Sequence, residues 1–164
     1  MKNIKNVLQG HSLHRAFTMI ELIFVIVVLG ILSAVAIPKL SGSIEDANIA
    51  TGISTVSTIR SAIASERQRS LILGTTAYPA ILDDATANTS GQALFDGNAS
   101  ISILQYGIFS GTGSGDWMKT SANGTTTTYK YYVGNGKTAT FTYTKADGKF
   151  DCTHTNEYCK WLTE

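Results

Sequence analysis

The sequence predicts an α+β protein in which one long N-terminal helix packs, through its second half, on a small antiparallel β-sheet. Three observations support this: an apolar run over residues 17–37, apolar residues at three- and four-residue steps over residues 37–63, and alternating apolar residues within residues 125–152. The first pattern indicates a helix without a polar face, the second an amphipathic helix, and the third β-strands. The first half of the helix should therefore be transmembrane.

The apolar run from Phe17 to Ile37 is long enough to cross a lipid bilayer. At about 1.5 Å per residue, a helix of this length reaches roughly 30 Å, the thickness of the hydrocarbon core. The run contains one carboxylate, Glu21, close to its start. A charge inside a membrane costs about 2.5–3.5 kcal/mol at the bilayer centre and less near the ends of the helix. Glu21 is therefore a candidate functional residue that needs a cationic partner.

The segment that precedes the run is basic, because it holds Lys2, Lys5 and Arg15 and no acidic residue. Positive charge beside an apolar run stays on the cytoplasmic side, so the rest of the chain is expected outside the cytoplasm. Two alternatives share this pattern. One is a secretory signal peptide cleaved after Ala36, at the Ala-Val-Ala motif of residues 34–36. The other is a plain signal anchor that is not cleaved.

The segment RAFTMIELIFVIVVLGILSAVAIPKL resembles the N-terminal signature of bacterial type IV pilins and type II secretion pseudopilins. The resemblance implies that residues 1–16 are a prepilin leader and that prepilin peptidase cuts between Ala16 and Phe17. It also implies that the new terminus at Phe17 is N-methylated, and that Glu21 is the family's glutamate at the fifth mature position. Ala16 departs from the family pattern, because the residue before the cut is normally glycine.

The resemblance further implies a structural subunit and not an enzyme. Such a subunit is a single-pass inner-membrane protein with its C-terminal domain in the periplasm, surrounded by bilayer lipid before assembly. On an inner-membrane assembly platform it would then pack with itself and other pilin-like subunits into a helical filament or pseudopilus. Glu21 would neutralise the amine of Phe17 in its own chain, since residues four apart share a helix face, or in an adjacent subunit.

Type II protein secretion is the predicted system for this filament. A type IV pilus or a DNA-uptake pilus is the alternative within the same class of protein. A secreted soluble binding module, released after Ala36, is the alternative from a different class.

Beyond the membrane segment, the sequence predicts an amphipathic continuation of the helix over residues 38–73. By the resemblance, Gly30 loosens the helix, and Pro38 should kink it because proline lacks an amide hydrogen and clashes with the preceding turn. Gly74 then ends the helix. The apolar stripe of this half should face a small domain formed by residues 74–164.

The C-terminal domain reads as an antiparallel sheet of three or four strands. Strands are predicted at about residues 125–133, 138–144 and 149–152, with turns at the GNGK and ADGK motifs. The segment ISILQYGIF, residues 101–109, fits either a further strand or a short helix, and its periodicity leaves both open.

Two cysteines, Cys152 and Cys159, enclose a short loop near the C-terminus. A compartment outside the cytoplasm favours a disulfide between them, and C-terminal disulfide loops occur among the type IV pilins that the chain resembles. The alternative is a metal site that adds His154 and Glu157 to the two cysteines. Catalysis has little support, because removal of the leader leaves His154 as the only histidine.

No cofactor is predicted, although the resemblance to calcium-binding pseudopilins makes Asp147 and Asp151 weak calcium candidates. Asn98 lies in a DGNAS sequence that matches the bacterial N-glycosylation pattern. Removing the three leader cations from 13 Lys and Arg leaves 10 against 12 Asp and Glu, a net charge of −2. Such a balance does not favour nucleic acid as a partner, because DNA binding needs a basic surface.

Overall fold

A computed structural model describes residues 17–164, which form two helices and six strands. Helix α1 spans Met19–Ile72. It is followed by β1 (Ala93–Leu94), β2 (Ile108–Phe109), β3 (Trp117–Ala122), β4 (Thr126–Gly134), β5 (Lys137–Thr144), β6 (Lys149–Cys152) and α2 (Glu157–Thr163). The chain divides into two compact units, one that ends at Lys39 and one that spans Leu40–Glu164.

The main sheet of the second unit is antiparallel, with four strands in the order β3-β4-β5-β6. Asn135 and Gly136 join β4 to β5, both with positive φ, 51° and 74°. A two-residue turn with this geometry matches the twist of a hairpin, and Asn-Gly is its preferred sequence. The predicted strands are thus confirmed, and β3 supplies the fourth.

The core of this unit lies between the sheet and the middle of α1. Along β4 every second residue is buried, and the buried residues include Tyr129, Tyr131 and Val133. They belong to one cluster with Val56 and Ile59 of α1. A fully buried side chain of this size contributes about 1.5–3 kcal/mol. The α+β prediction, a long helix with a small antiparallel sheet, is confirmed.

Helix α2 packs closely against α1 at Gly52. A Cβ atom at this position would clash with the Leu162 side chain of α2 and would lie 2.7 Å from Cε1 of Tyr131. Glycine lowers intrinsic helix stability by up to about 1 kcal/mol relative to alanine. The absence of a side chain at Gly52 is therefore what allows the close contact between α1, α2 and β4.

The segment at residues 101–109, left open between a strand and a helix, is mostly neither. Only its end forms a strand, β2, whose residues Ile108 and Phe109 pair with β1 in a separate two-stranded sheet. The loop before it still contributes to the core, since Ile103 is buried. The helix α2 was not predicted.

Candidate functional site

The N-terminal part of α1 is an apolar surface that residues 17–164 leave exposed. Phe17 is 77% exposed, and the large apolar residues that follow it are exposed as well: Met19, Ile20, Leu22, Ile23, Phe24, Val25, Ile26, Val27, Leu29, Ile31, Leu32, Val35 and Ile37. By length and composition, the helix is able to cross a membrane, and none of its most apolar 18-residue stretch is buried. Exposure of so large an apolar surface marks a membrane or protein contact.

The helix begins with a capping arrangement that involves Glu21. The backbone N–H of Glu21 donates to the Thr18 side-chain oxygen at 3.2 Å, and the N–H of Leu22 donates to the Thr18 carbonyl at 3.1 Å. Thr18 is therefore the N-cap residue, and Glu21 holds the third helical position. This is the spacing of the Ser/Thr-x-x-Glu capping box.

Glu21 thus has a local role besides the predicted one in assembly. An acidic side chain in the first turn stabilises a helix by about 0.3–1 kcal/mol through the helix dipole. The side chain is exposed among apolar neighbours such as Phe24 and Val25. Within residues 17–164, Glu21 forms no ion pair, so its carboxylate is open to a cation from elsewhere. The sequence reasoning missed the capping role, although the Thr-Met-Ile-Glu spacing indicates it.

The other predicted N-terminal residues are placed only in part. Ala16, and with it the leader, lies outside the described residues, whereas Phe17 directly precedes the N-cap residue Thr18. α1 continues through both Gly30 and Pro38, and a Cβ added at Gly30 would meet no atom within 4 Å. A kink at Gly30 or Pro38 stays a prediction.

The two cysteines form a disulfide, with their Cα atoms 5.8 Å apart. Cys152 ends β6 and Cys159 lies in α2, so the bond ties the last helix to the edge of the sheet. The side chain of Asn156 caps α2 by accepting a hydrogen bond from the Cys159 N–H at 3.1 Å. The alternative of a metal site at these cysteines is contradicted, because oxidised cysteines offer no thiolate to a metal.

The calcium candidates gain little from their surroundings. Asp151 binds Arg60 at 3.1 Å and Lys149 at 3.2 Å, so two cations already neutralise it. Partial burial raises the pKa of Asp151, but hydrogen bonds from the Cys152 N–H, Lys149 and His154 together hold this pKa below its ordinary value. Asp147 accepts a hydrogen bond from the Lys149 N–H. In the part of the chain that the structure describes, no three His, Cys, Asp or Glu residues form a metal-binding group.

A buried ion pair lies inside the second unit and was not predicted. The Lys119 Nζ atom is 3.0 Å from Asp83 Oδ1, and both side chains are almost fully buried. The Tyr129 hydroxyl donates to Asp83 Oδ2 at 2.7 Å, and the N–H groups of Ala85 and Phe95 also donate to this carboxylate. Burial above all, and then the negative charge of Asp83, raise the pKa of Tyr129 above its ordinary value. Because both side chains are buried and paired with each other, we interpret this ion pair as structural.

The fold and this surface define a protein with an uncovered apolar N-terminal helix and a compact α+β unit stapled by a disulfide. Residues 12–37 match the prokaryotic N-terminal methylation motif. The chain is also similar to the type IV major fimbrial protein FimA of Dichelobacter nodosus, with 32% identity over 97 residues. Together these findings show that the chain is similar to type IV pilins, through its N-terminal motif and over part of its length.

The similarity to this relative is partial: it covers 56% of this chain and 62% of the relative, so the chain spans less than two thirds of the relative's length. No solved structure matches the chain significantly. The exposed apolar N-terminal helix fits membrane anchoring.

Proposed function

We propose that this chain is a structural subunit that prepilin peptidase processes between Ala16 and Phe17 and that then assembles into a filament. The single observation that carries the proposal is the methylation motif at residues 12–37. It coincides with the start of a helix whose most apolar stretch is wholly unburied. A helix of this kind needs lipid before assembly and the helices of other subunits afterwards.

The proposed localisation follows from the charge of the leader. Its cations keep the N-terminus in the cytoplasm, so the subunit is a single-pass inner-membrane protein with the unit Leu40–Glu164 in the periplasm. An assembly platform in the inner membrane would then extract it into the filament.

Two filament systems compete. Type II secretion is the system predicted from the sequence. The similar protein FimA is named as a type IV fimbrial protein, which favours a type IV pilus. We therefore place the type IV pilus first, with the type II secretion pseudopilus and the DNA-uptake pilus as alternatives. Deletion of the gene tests the choice: loss of surface fibres with normal protein secretion fits a pilus, and the converse result fits a pseudopilus.

N-terminal mass spectrometry of the membrane-extracted protein tests processing. The expected mature chain begins with N-methylated Phe17. A soluble protein that begins at Ile37 would instead identify the secreted module released after Ala36 and would end the filament proposal.

Glu21 is proposed to pair with the amine of Phe17 during assembly, and the capping role offers a matched control. Glu21→Gln keeps a side chain that suits the capping box but removes the charge, whereas Glu21→Asp keeps the charge with a shorter reach. A buried pair that loses one partner costs about 3–5 kcal/mol. We expect Glu21→Gln and Glu21→Val to be inserted and cleaved but not assembled, and Glu21→Asp to be intermediate.

Gel shift measures leader removal in these variants, and shearing with crosslinking measures filaments. Normal filaments from processed Glu21→Gln would show that the charge is not needed for assembly. If Glu21→Val failed to assemble in the same experiment, the capping geometry would be what matters.

A further inference from the structure

The start of α1 lies just after the proposed cleavage site. Met19 is the first helical residue, and Phe17 and Thr18 are outside the helix. The bond between Ala16 and Phe17 therefore precedes the helix by two residues. A peptide bond inside a helix is a poor protease substrate until the helix opens locally, and cleavage then follows the population of the open form.

Thr18 fixes this boundary through its side chain. Its hydroxyl oxygen accepts the Glu21 N–H, which has no helical partner of its own. Threonine is a preferred N-cap and alanine a poor one, with a difference of about 0.5–2 kcal/mol in helix stability. Loss of the cap therefore permits the helix to begin elsewhere.

The sequence shows where a displaced start would fall. Upstream of Thr18, the first residue of a good capping type is Ser12, because residues 13–17 are Leu, His, Arg, Ala and Phe. A helix capped by Ser12 would contain the bond between Ala16 and Phe17.

We propose that Thr18 is a positioning residue for leader removal: by capping α1, it holds the bond between Ala16 and Phe17 outside the helix. The inference rests on the processing proposed above. In this proposal the Thr18 hydroxyl acts by capping the helix backbone and not by contacting the peptidase.

Pulse-chase labelling of the full chain, in a host with prepilin peptidase, tests the inference through the rate of leader removal. We expect Thr18→Ala to be cleaved more slowly, by at most the about two- to thirtyfold change in population ratio that loss of a cap corresponds to. Thr18→Ser should retain the wild-type rate. Membrane fractionation should show equal insertion of all variants.

A double variant separates capping from recognition. Proline is favoured at the first helical position and disfavours helical conformation at the residue before it. Thr18→Ala combined with Met19→Pro should therefore regain most of the wild-type rate without the hydroxyl, and Met19→Pro alone should be cleaved normally.

Two outcomes would overturn the inference: wild-type cleavage of Thr18→Ala, or a double variant as slow as Thr18→Ala while Met19→Pro alone is cleaved normally. The second outcome would mean that the peptidase reads the hydroxyl itself. Absence of cleavage at this bond in the wild-type chain would instead refute the processing on which the inference rests.

Discussion

Replacement of Asp83 by asparagine should destabilise the second unit more than any exposed substitution nearby. The variant leaves the Lys119 ammonium, whose side chain is 8% exposed, without its counter-charge. It also turns an amide NH₂ group toward donors, because the partners of both carboxylate oxygens are N–H or O–H groups. Breaking a buried pair in this way costs about 3–5 kcal/mol.

This loss is a large part of the total free energy of unfolding of a domain, about 5–15 kcal/mol. The neighbouring Asp84 is exposed, so Asp84→Asn is a matched control that should change the free energy of unfolding by less than about 0.5 kcal/mol. Lys119→Met in the Asp83→Asn background removes the unpaired charge. We expect this double variant to be more stable than Asp83→Asn alone.

Urea denaturation of the full chain in detergent measures these differences. Trp117 is a suitable fluorescence reporter, because it is buried and its ring centre lies 4.8 Å from that of Tyr131. If Asp83→Asn and Asp84→Asn unfold at the same urea concentration with equal slopes, the ion pair contributes nothing net and the reasoning fails.

Three further predictions concern the same unit. Gly52→Ala should lower the free energy of unfolding by about 1–3 kcal/mol through overpacking. Gly42→Ala, whose added Cβ meets no atom within 4 Å, should raise it by up to about 1 kcal/mol. Thermal unfolding compares the two variants, and equal effects would exclude a clash at Gly52. Thiol alkylation without reductant should label neither Cys152 nor Cys159, and reduction should cost about 2–3 kcal/mol in a urea titration; labelling of both would contradict the disulfide. Urea titrations at pH 9, 10 and 11 should show a free energy of unfolding that falls as the pH rises above about 10, by up to about 1.4 kcal/mol per pH unit for each buried tyrosine. The reason is that burial raises the folded-state pKa of three tyrosines, so that the unfolded chain ionises first: Tyr129, Tyr131 (to about 12) and Tyr143. A free energy of unfolding that does not change between pH 9 and 11 would exclude this coupling between folding and tyrosine ionisation.

The central hairpin could be predicted from sequence because its determinants are local. The buried residues of β4 and β5 recur at every second position, and the Asn135–Gly136 turn fixes the register between them. Helix α1 was predicted for the same reason, as its apolar spacing is continuous, and it ends at Ile72, just before Gly74.

The elements that the sequence did not reveal depend on distant partners. Lys119 and Asp83 are 36 residues apart, and β3 offers too little alternation to show that Lys119 points inward. Helix α2 is too short for a clear period, and it is held by the disulfide and by Leu162 at Gly52. A local signal did exist for α2, namely Asn156 as a cap before Glu157 in the first turn.

The contact between α2 and α1 also determines when this unit is able to complete its folding during synthesis. Tyr158 donates a hydrogen bond to Glu45, which precedes it by 113 residues. At a synthesis rate of about 5–20 residues per second, Tyr158 is added roughly 6–23 seconds after Glu45. Throughout that interval the face of α1 that later packs against α2 is without this contact, and an isolated helix is only marginally stable. The unit Leu40–Glu164 therefore completes its packing only after α2 has been synthesised, so any machinery that acts on the nascent chain meets it before that packing is complete.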